Sequence, residues 1–202
     1  YNGFSEEHFV TRIAPCDFQE LYPQFLYSDS GGLQQARMNA KFSRETKRGI
    51  YFQQKKSTHA FAFDEMPFEY INNSMVFRPE RVDECGTQAG KNLKEQIEAF
   101  DEFNTDTKPI GIVQGMDLDS LSTYTRNMLG QLEDHRKYNL ECLALGGVIW
   151  LNPVDALHKT VQTLQISGIP DKMRSHFHIL GITGWKKILP ILIISKSDIF
   201  KG

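Results

Sequence analysis

Five times along the chain a short apolar run rich in β-branched or aromatic residues is followed by a polar or glycine cluster, and then by a longer polar or amphipathic segment. The runs are "QFLY" (24–27), "HAFAF" (59–63), "PIGIV" (109–113), "ECLAL" (141–145) and "HFHIL" (176–180). The clusters that follow them are "SDSGG", "DEMP", "QGMD", "GG" and "GITG". Between them the spacing predicts helices. "AGKNLKEQIEAFDEF" puts Leu93, Ile97 and Phe100 on one face, and "LSTYTRNMLGQLEDH" does the same with Leu121, Met128, Leu129 and Leu132. "NPVDALHKTVQTLQISG" opens with Asn152 as cap and Pro153 at the first helical position, and closes at Gly168. "ETKRGIYFQQKKS" reads as a further helix despite Gly49 inside it.

Alternation at this spacing implies parallel strands joined by helices. Nearly continuous apolar strands agree, because a parallel sheet is covered on both faces. Two architectures satisfy that pattern, an open doubly wound sheet and a closed barrel. No G-x-G-x-x-G follows a strand, which weakens the dinucleotide-binding form of the first. Polar clusters follow every strand, as a barrel with its site at the C-terminal strand ends requires. The expected fold class is therefore α/β, a (β/α)8 TIM-type barrel incomplete in this chain, with residues 1–202 forming a single domain.

Composition narrows the setting. The 202 residues are 40% hydrophobic with mixed charges, as in a globular protein, and no apolar run nears the roughly 20 residues that cross a bilayer. The longest, "ILPILII" (188–194), carries a proline. No signal peptide opens the sequence, and three separated cysteines, Cys16, Cys85 and Cys142, form neither a disulfide framework nor a zinc cluster, so a cytoplasmic protein is expected. The chain starts at Tyr1 without an initiator Met and reads as part of something longer. Net charge is -2, but seven basic residues between Gln35 and His59 face the single acid Glu45, a local +6. Such a run is either a solvated face or a grip for a polyanion beside the "DSGG" segment.

Several motifs carry little. "GTQAGKN" (86–92) resembles a phosphate-binding loop but is one residue short, has Asn92 at the magnesium-binding position and follows no strand. His176 and His178 share one side of a strand without a third metal ligand nearby, and Asp83 and Glu84 read as the solvated start of a helix. The strand-end acids matter more. Asp29 and Asp64, with Gln114 at a third strand end, are expected to converge on a pocket for a planar ligand. A carboxylate accepts from N–H groups, whereas an amide and glycine N–H groups donate to a carbonyl oxygen; guanine offers both faces.

These residues resemble the tRNA-guanine transglycosylases and relatives that insert 7-deazaguanines into nucleic acid. "SDSGGLQ" (28–34) is similar to the family's D-S-G-G-[FY]-Q, and "AFDEMP" (62–67) to A-F-D-E-C. "GIVQG" (111–115) and "LALGG" (143–147) are similar to G-I-[VQ]-Q-G and [AY]-x-G-G, and "HFHILGITG" (176–184) to H-Y-L-M-G-V-G. The resemblance implies a queuosine-type pentosyltransferase: a (β/α)8 barrel that exchanges guanine in tRNA or DNA for a 7-deazaguanine through a covalent aspartyl intermediate. It implies Asp29 as acid/base group, Asp64 as partner of the guanine N–H edge, Gln114 and the Gly147 backbone addressing O6, and Gly146 and Gly181 leaving room for the base. Ser30 lies beside them as a further substrate contact. Implied partners are nucleic acid and the free base, with a dimer compatible and no membrane.

The sequence also departs from the family. Leu33 replaces the usual aromatic residue, and the segment from Gln35 to Arg44 is too short for the usual hairpin. The zinc site of the family has no counterpart, so no cofactor is expected within this chain. The D-x-F-D segment aligns with "SDIFKG" (197–202), placing Lys201 where the attacking aspartate belongs and leaving Asp198 as the candidate nucleophile. Two rival readings remain at this level, a noncatalytic nucleic-acid-binding or partner subunit and a barrel glycosidase using Asp29 and Asp64.

Overall fold

The computed structural model describes residues 26–31, 42–72, 74–134, 136, 140–174, 176–182 and 184–195. Strands β1 (Tyr27–Ser28) and β2 (His59–Phe61) flank helix α1 (Arg44–Gln54). A hairpin of β3 (Phe68–Ile71) and β4 (Ser74–Phe77) follows, then helix α2 (Val82–Glu102), strand β5 (Lys108–Val113) and helix α3 (Leu118–Leu129). Strand β6 (Leu143–Leu145), helices α4 (Pro153–Leu164) and α5 (Asp171–Arg174), strand β7 (Phe177–Ile179) and helix α6 (Trp185–Ser195) complete the described order.

The five expected strands form one parallel sheet in the order β1-β2-β5-β6-β7. Each new strand is added on the same side, without the reversal that defines a doubly wound sheet. The sheet is strongly curled. β1 and β7 are its opposite edges, which in a flat sheet would stand about 19 Å apart at about 4.8 Å per strand. Yet the rings of Tyr27 and His178 lie 5.1 Å apart, and His178 is equally close to Phe61. The fold is thus mixed α/β on a curled five-stranded parallel sheet. His178 is an aromatic element of the concave face, and no group of three or more metal-ligating side chains occurs among the described residues.

Alternation along the strands explains the two faces. Phe61, Ile110, Ile112, Cys142 and Ala144 pack together on the concave side. Val113, Leu143 and Leu145 belong to the larger core shared with α2, α3 and α4, including Leu93, Leu121, Met128 and Ala156. Helix starts follow the local sequence. The Asp117 side chain accepts from Ser120 N, and the Asn152 side chain accepts from Val154 N and Asp155 N, contacts that contribute about 1 kcal/mol each. The phosphate-loop lookalike sits inside α2. A Cβ at Gly86 would stand 2.7 Å from the Tyr124 carbonyl oxygen, so this glycine serves close packing of α2 on α3. Among the described residues no helix is long and apolar enough to cross a membrane.

Candidate functional site

Because the five strands are parallel, the residues that follow them collect at one end of the sheet. Asp29 and Ser30 follow β1, Asp64 follows β2, Gln114 follows β5, Gly146 and Gly147 follow β6, and Gly181 follows β7. Strand order then sets their sequence around the rim.

The structure joins Asp64 and Gln114 directly: Gln114 Nε2 donates to Asp64 Oδ2 at 2.5 Å. Gln114 is 2% exposed, and its Oε1 is buried without a hydrogen-bond partner among the described residues. Burial pushes the Asp64 carboxyl up to about 6, and the neighbouring Asp29 and Glu65 charges push the same way. The Gln114 bond and the local backbone oppose them. Asp29 itself is exposed; its Oδ1 accepts from Ser30 N at 2.8 Å. Ser30 is buried, and its hydroxyl donates to the Ala62 carbonyl at 3.1 Å, tying the end of β1 to that of β2.

The glycines close the rim. A Cβ on Gly146 would collide with the Gln114 amide, and the Gly146 N–H is fixed to the Val113 carbonyl at 2.9 Å. Gly147 sits at φ 67°, with the Gln114 Oε1 3.1 Å from where its Cβ would be. Both positions therefore need the residue without a side chain. Gly181, at φ 71°, is exposed beside Ile149 at the far end of the rim.

Sequence reasoning missed the side chains that hold this rim in place. Gln54 of α1 donates to the Phe61 carbonyl at 3.0 Å and to the Asp29 carbonyl at 3.3 Å. Gln96 of α2 donates to Gln54 Oε1 at 2.7 Å and to the Phe61 carbonyl at 3.2 Å. Asn92 Nδ2 holds the Phe63 carbonyl at 3.2 Å, and the Tyr124 hydroxyl donates to the Glu65 carbonyl at 2.9 Å. Asp64 thus leaves the sheet on a segment whose carbonyls are pinned by three helices, the rigid support a binding constellation requires. A second missed group is Lys159 of α4, buried, with Nζ donating to the Gly146 carbonyl at 2.9 Å. Burial lowers its amine to about 7.

The described residues of the basic run divide between the two ends of the sheet, and Arg37 and Lys41 fall outside the described residues. Lys47 lies towards the rim, bonded to Asn92 Oδ1 at 2.8 Å, and Arg48 pairs with Glu102. Lys55 and Lys56 lie at the opposite end, lining a cavity of about 660 Å³ with His59, Lys108 and Glu141. Asp198, Lys201, Leu33 and Cys16 fall outside the described residues.

Chemically, the rim offers a raised carboxylate, an amide and a side-chain-free backbone segment at adjacent strand ends, with a second, exposed carboxylate next to the first. That set accepts from N–H groups on one edge of a flat ligand and donates to an oxygen on another. No family model matches the chain, and no curated protein matches it.

Proposed function

We propose that the chain is a nucleobase-exchanging transglycosylase, part of a (β/α)8 barrel that replaces guanine in tRNA or DNA by a 7-deazaguanine. The observation that carries the reading is the Asp64–Gln114 pair, bonded at 2.5 Å on neighbouring strand ends, with Asp29 close enough to raise the Asp64 carboxyl. A guanine inserted there gives its N–H edge to Asp64 and its O6 to donors on Gln114 and Gly147.

In the exchange a carboxylate oxygen bonds to ribose C1′ as the C1′–N bond to guanine breaks, in the manner of a retaining glycosidase. Guanine leaves neutral after taking a proton. The incoming base gives up its ring N–H proton as its own bond to C1′ forms and the ester breaks. Asp29 supplies and then receives that proton, and Asp198 is the candidate nucleophile. The target nucleotide leaves its stack to reach the rim. Lys201 at the position of the family's attacking aspartate favours a second reading, a noncatalytic nucleic-acid-binding or partner subunit.

Incubation with tRNA or duplex DNA and labelled guanine separates the two. Incorporation is expected in the wild type and is expected to vanish in Asp29→Asn. That variant should melt like the wild type, because an Asn oxygen can still accept from Ser30 N at an exposed position. Exchange retained by Asp29→Asn contradicts the acid/base role, while salt-dependent binding without incorporation favours the partner subunit.

A further inference from the structure

We propose that Lys159 is a positioning residue of the base slot: it holds the Gly146 carbonyl towards the helix layer and so presents the Gly147 N–H to the 6-oxo group of a bound purine. This rests on the reading of the rim as a purine site.

Lys159 is 1% exposed, and among the described residues no carboxylate lies within ion-pair distance of it. Its Nζ has the Gly146 carbonyl at 2.9 Å and the Phe68 ring centroid at 5.7 Å. Burying an amine without a counter-charge is costly, and an apolar side chain of the same length would fill the space at lower cost. The contact that distinguishes lysine from such a residue is the one to Gly146.

That contact sets the direction of a donor. No described peptide bond is cis, so the Gly146–Gly147 peptide is trans and planar. Its carbonyl and its N–H point to opposite sides. With the Gly146 oxygen turned to α4, the Gly147 N–H faces away from the helix layer. Two successive glycines, one at φ 67°, give this peptide little steric preference of its own. Lys159 supplies the preference. Either protonation state of the amine carries an N–H, so the contact survives the lowering of its pKa by burial.

The test compares guanine with 2-aminopurine, which lacks the 6-oxo group and the N1 proton, by the change in each ligand's equilibrium binding between the wild type and Lys159→Met, so that the missing proton is common to both proteins. Guanine affinity is expected to fall about tenfold or more in the variant, as for one lost well-aligned hydrogen bond, with 2-aminopurine affinity changed less than about twofold. The variant's discrimination between the two bases therefore falls about tenfold, which general damage to the fold would not produce. Equal weakening of both ligands, or no weakening, overturns the role of Lys159 alone. A wild type that binds neither base overturns the purine reading and this inference with it. If Lys159→Met does not fold, Lys159→Gln, one bond too short to reach the carbonyl, is read in the same way.

Discussion

Asp64→Asn is expected to raise the melting temperature at pH 7.5 while removing guanine binding. Asp64 titrates near 6 in the folded protein against an ordinary value of 3.8, with burial as the largest cause. The folded state therefore holds this proton more tightly than the unfolded chain does. Its contribution to stability is fully present below about pH 4 and is lost as pH rises through about 6, so at neutral pH the ionised group is a net cost. The difference between those two values corresponds to about 3 kcal/mol, and partial solvent access reduces the recoverable part to roughly 2 kcal/mol. Asn keeps an oxygen to accept from Gln114 Nε2 and carries no charge. A gain of about 4 to 8 °C follows for a chain of this size. The wild type's loss of stability between pH 4 and 6 should flatten in the variant. Binding moves the other way. An amide cannot accept from both N–H groups of the guanine edge, and loss of a charge-assisted pair weakens affinity by about a hundredfold or more. Melting curves across pH and a binding titration check both halves; a variant that binds guanine normally contradicts the assignment of Asp64.

The second large effect is expected of Gly146→Ala. The new methyl group falls on the Gln114 amide, and neither partner has room to retreat. The Gly146 backbone is fixed to Val113 on one side and to Lys159 on the other, and Gln114 is buried and bound to Asp64. Relief requires the amide to leave Asp64. Overpacking with a broken buried bond costs about 2 to 4 kcal/mol. The melting temperature should drop by roughly 4 to 16 °C. Exchange should fall at least a hundredfold, because the slot loses its shape along with its amide. Unchanged melting and exchange would mean that the β6 exit and Gln114 are not in the contact described.

Much of this molecule is legible in one dimension where a pattern is local. Asn152 and Pro153 announce α4, and the apolar runs mark all five parallel strands to within one to three residues. The strand-end acids and glycines come out in rim order because each parallel strand is added beside the one before it. The hairpin Phe68–Phe77 lies outside the repeated pattern, although its aromatic and β-branched runs meet at Asn72, which adopts φ 48°, a turn conformation that asparagine tolerates. Pro190 masks helix α6 within a run that reads only as apolar. The polar supports could not be read at all. Gln54, Asn92, Gln96 and Lys159 are polar side chains that residue type assigns to solvent, yet each is nearly fully buried. They are buried because strand-end carbonyls need donors there, a demand that exists only once the helices are packed. The basic run shows the same limit: its local charge is plain in sequence, while the division of its described residues between two ends of the sheet comes from α1 running back along it.

A purine seated at the rim against Asp64, Gln114 and Gly147 is the claim on which the rest depends. A crystal structure of the protein with 7-deazaguanine tests this most directly. It is expected to place the base at the rim, N–H edge on the Asp64 carboxylate and 6-oxo group within hydrogen-bond distance of Gly147 N. A base bound elsewhere, or a rim left empty under saturating ligand, would contradict it.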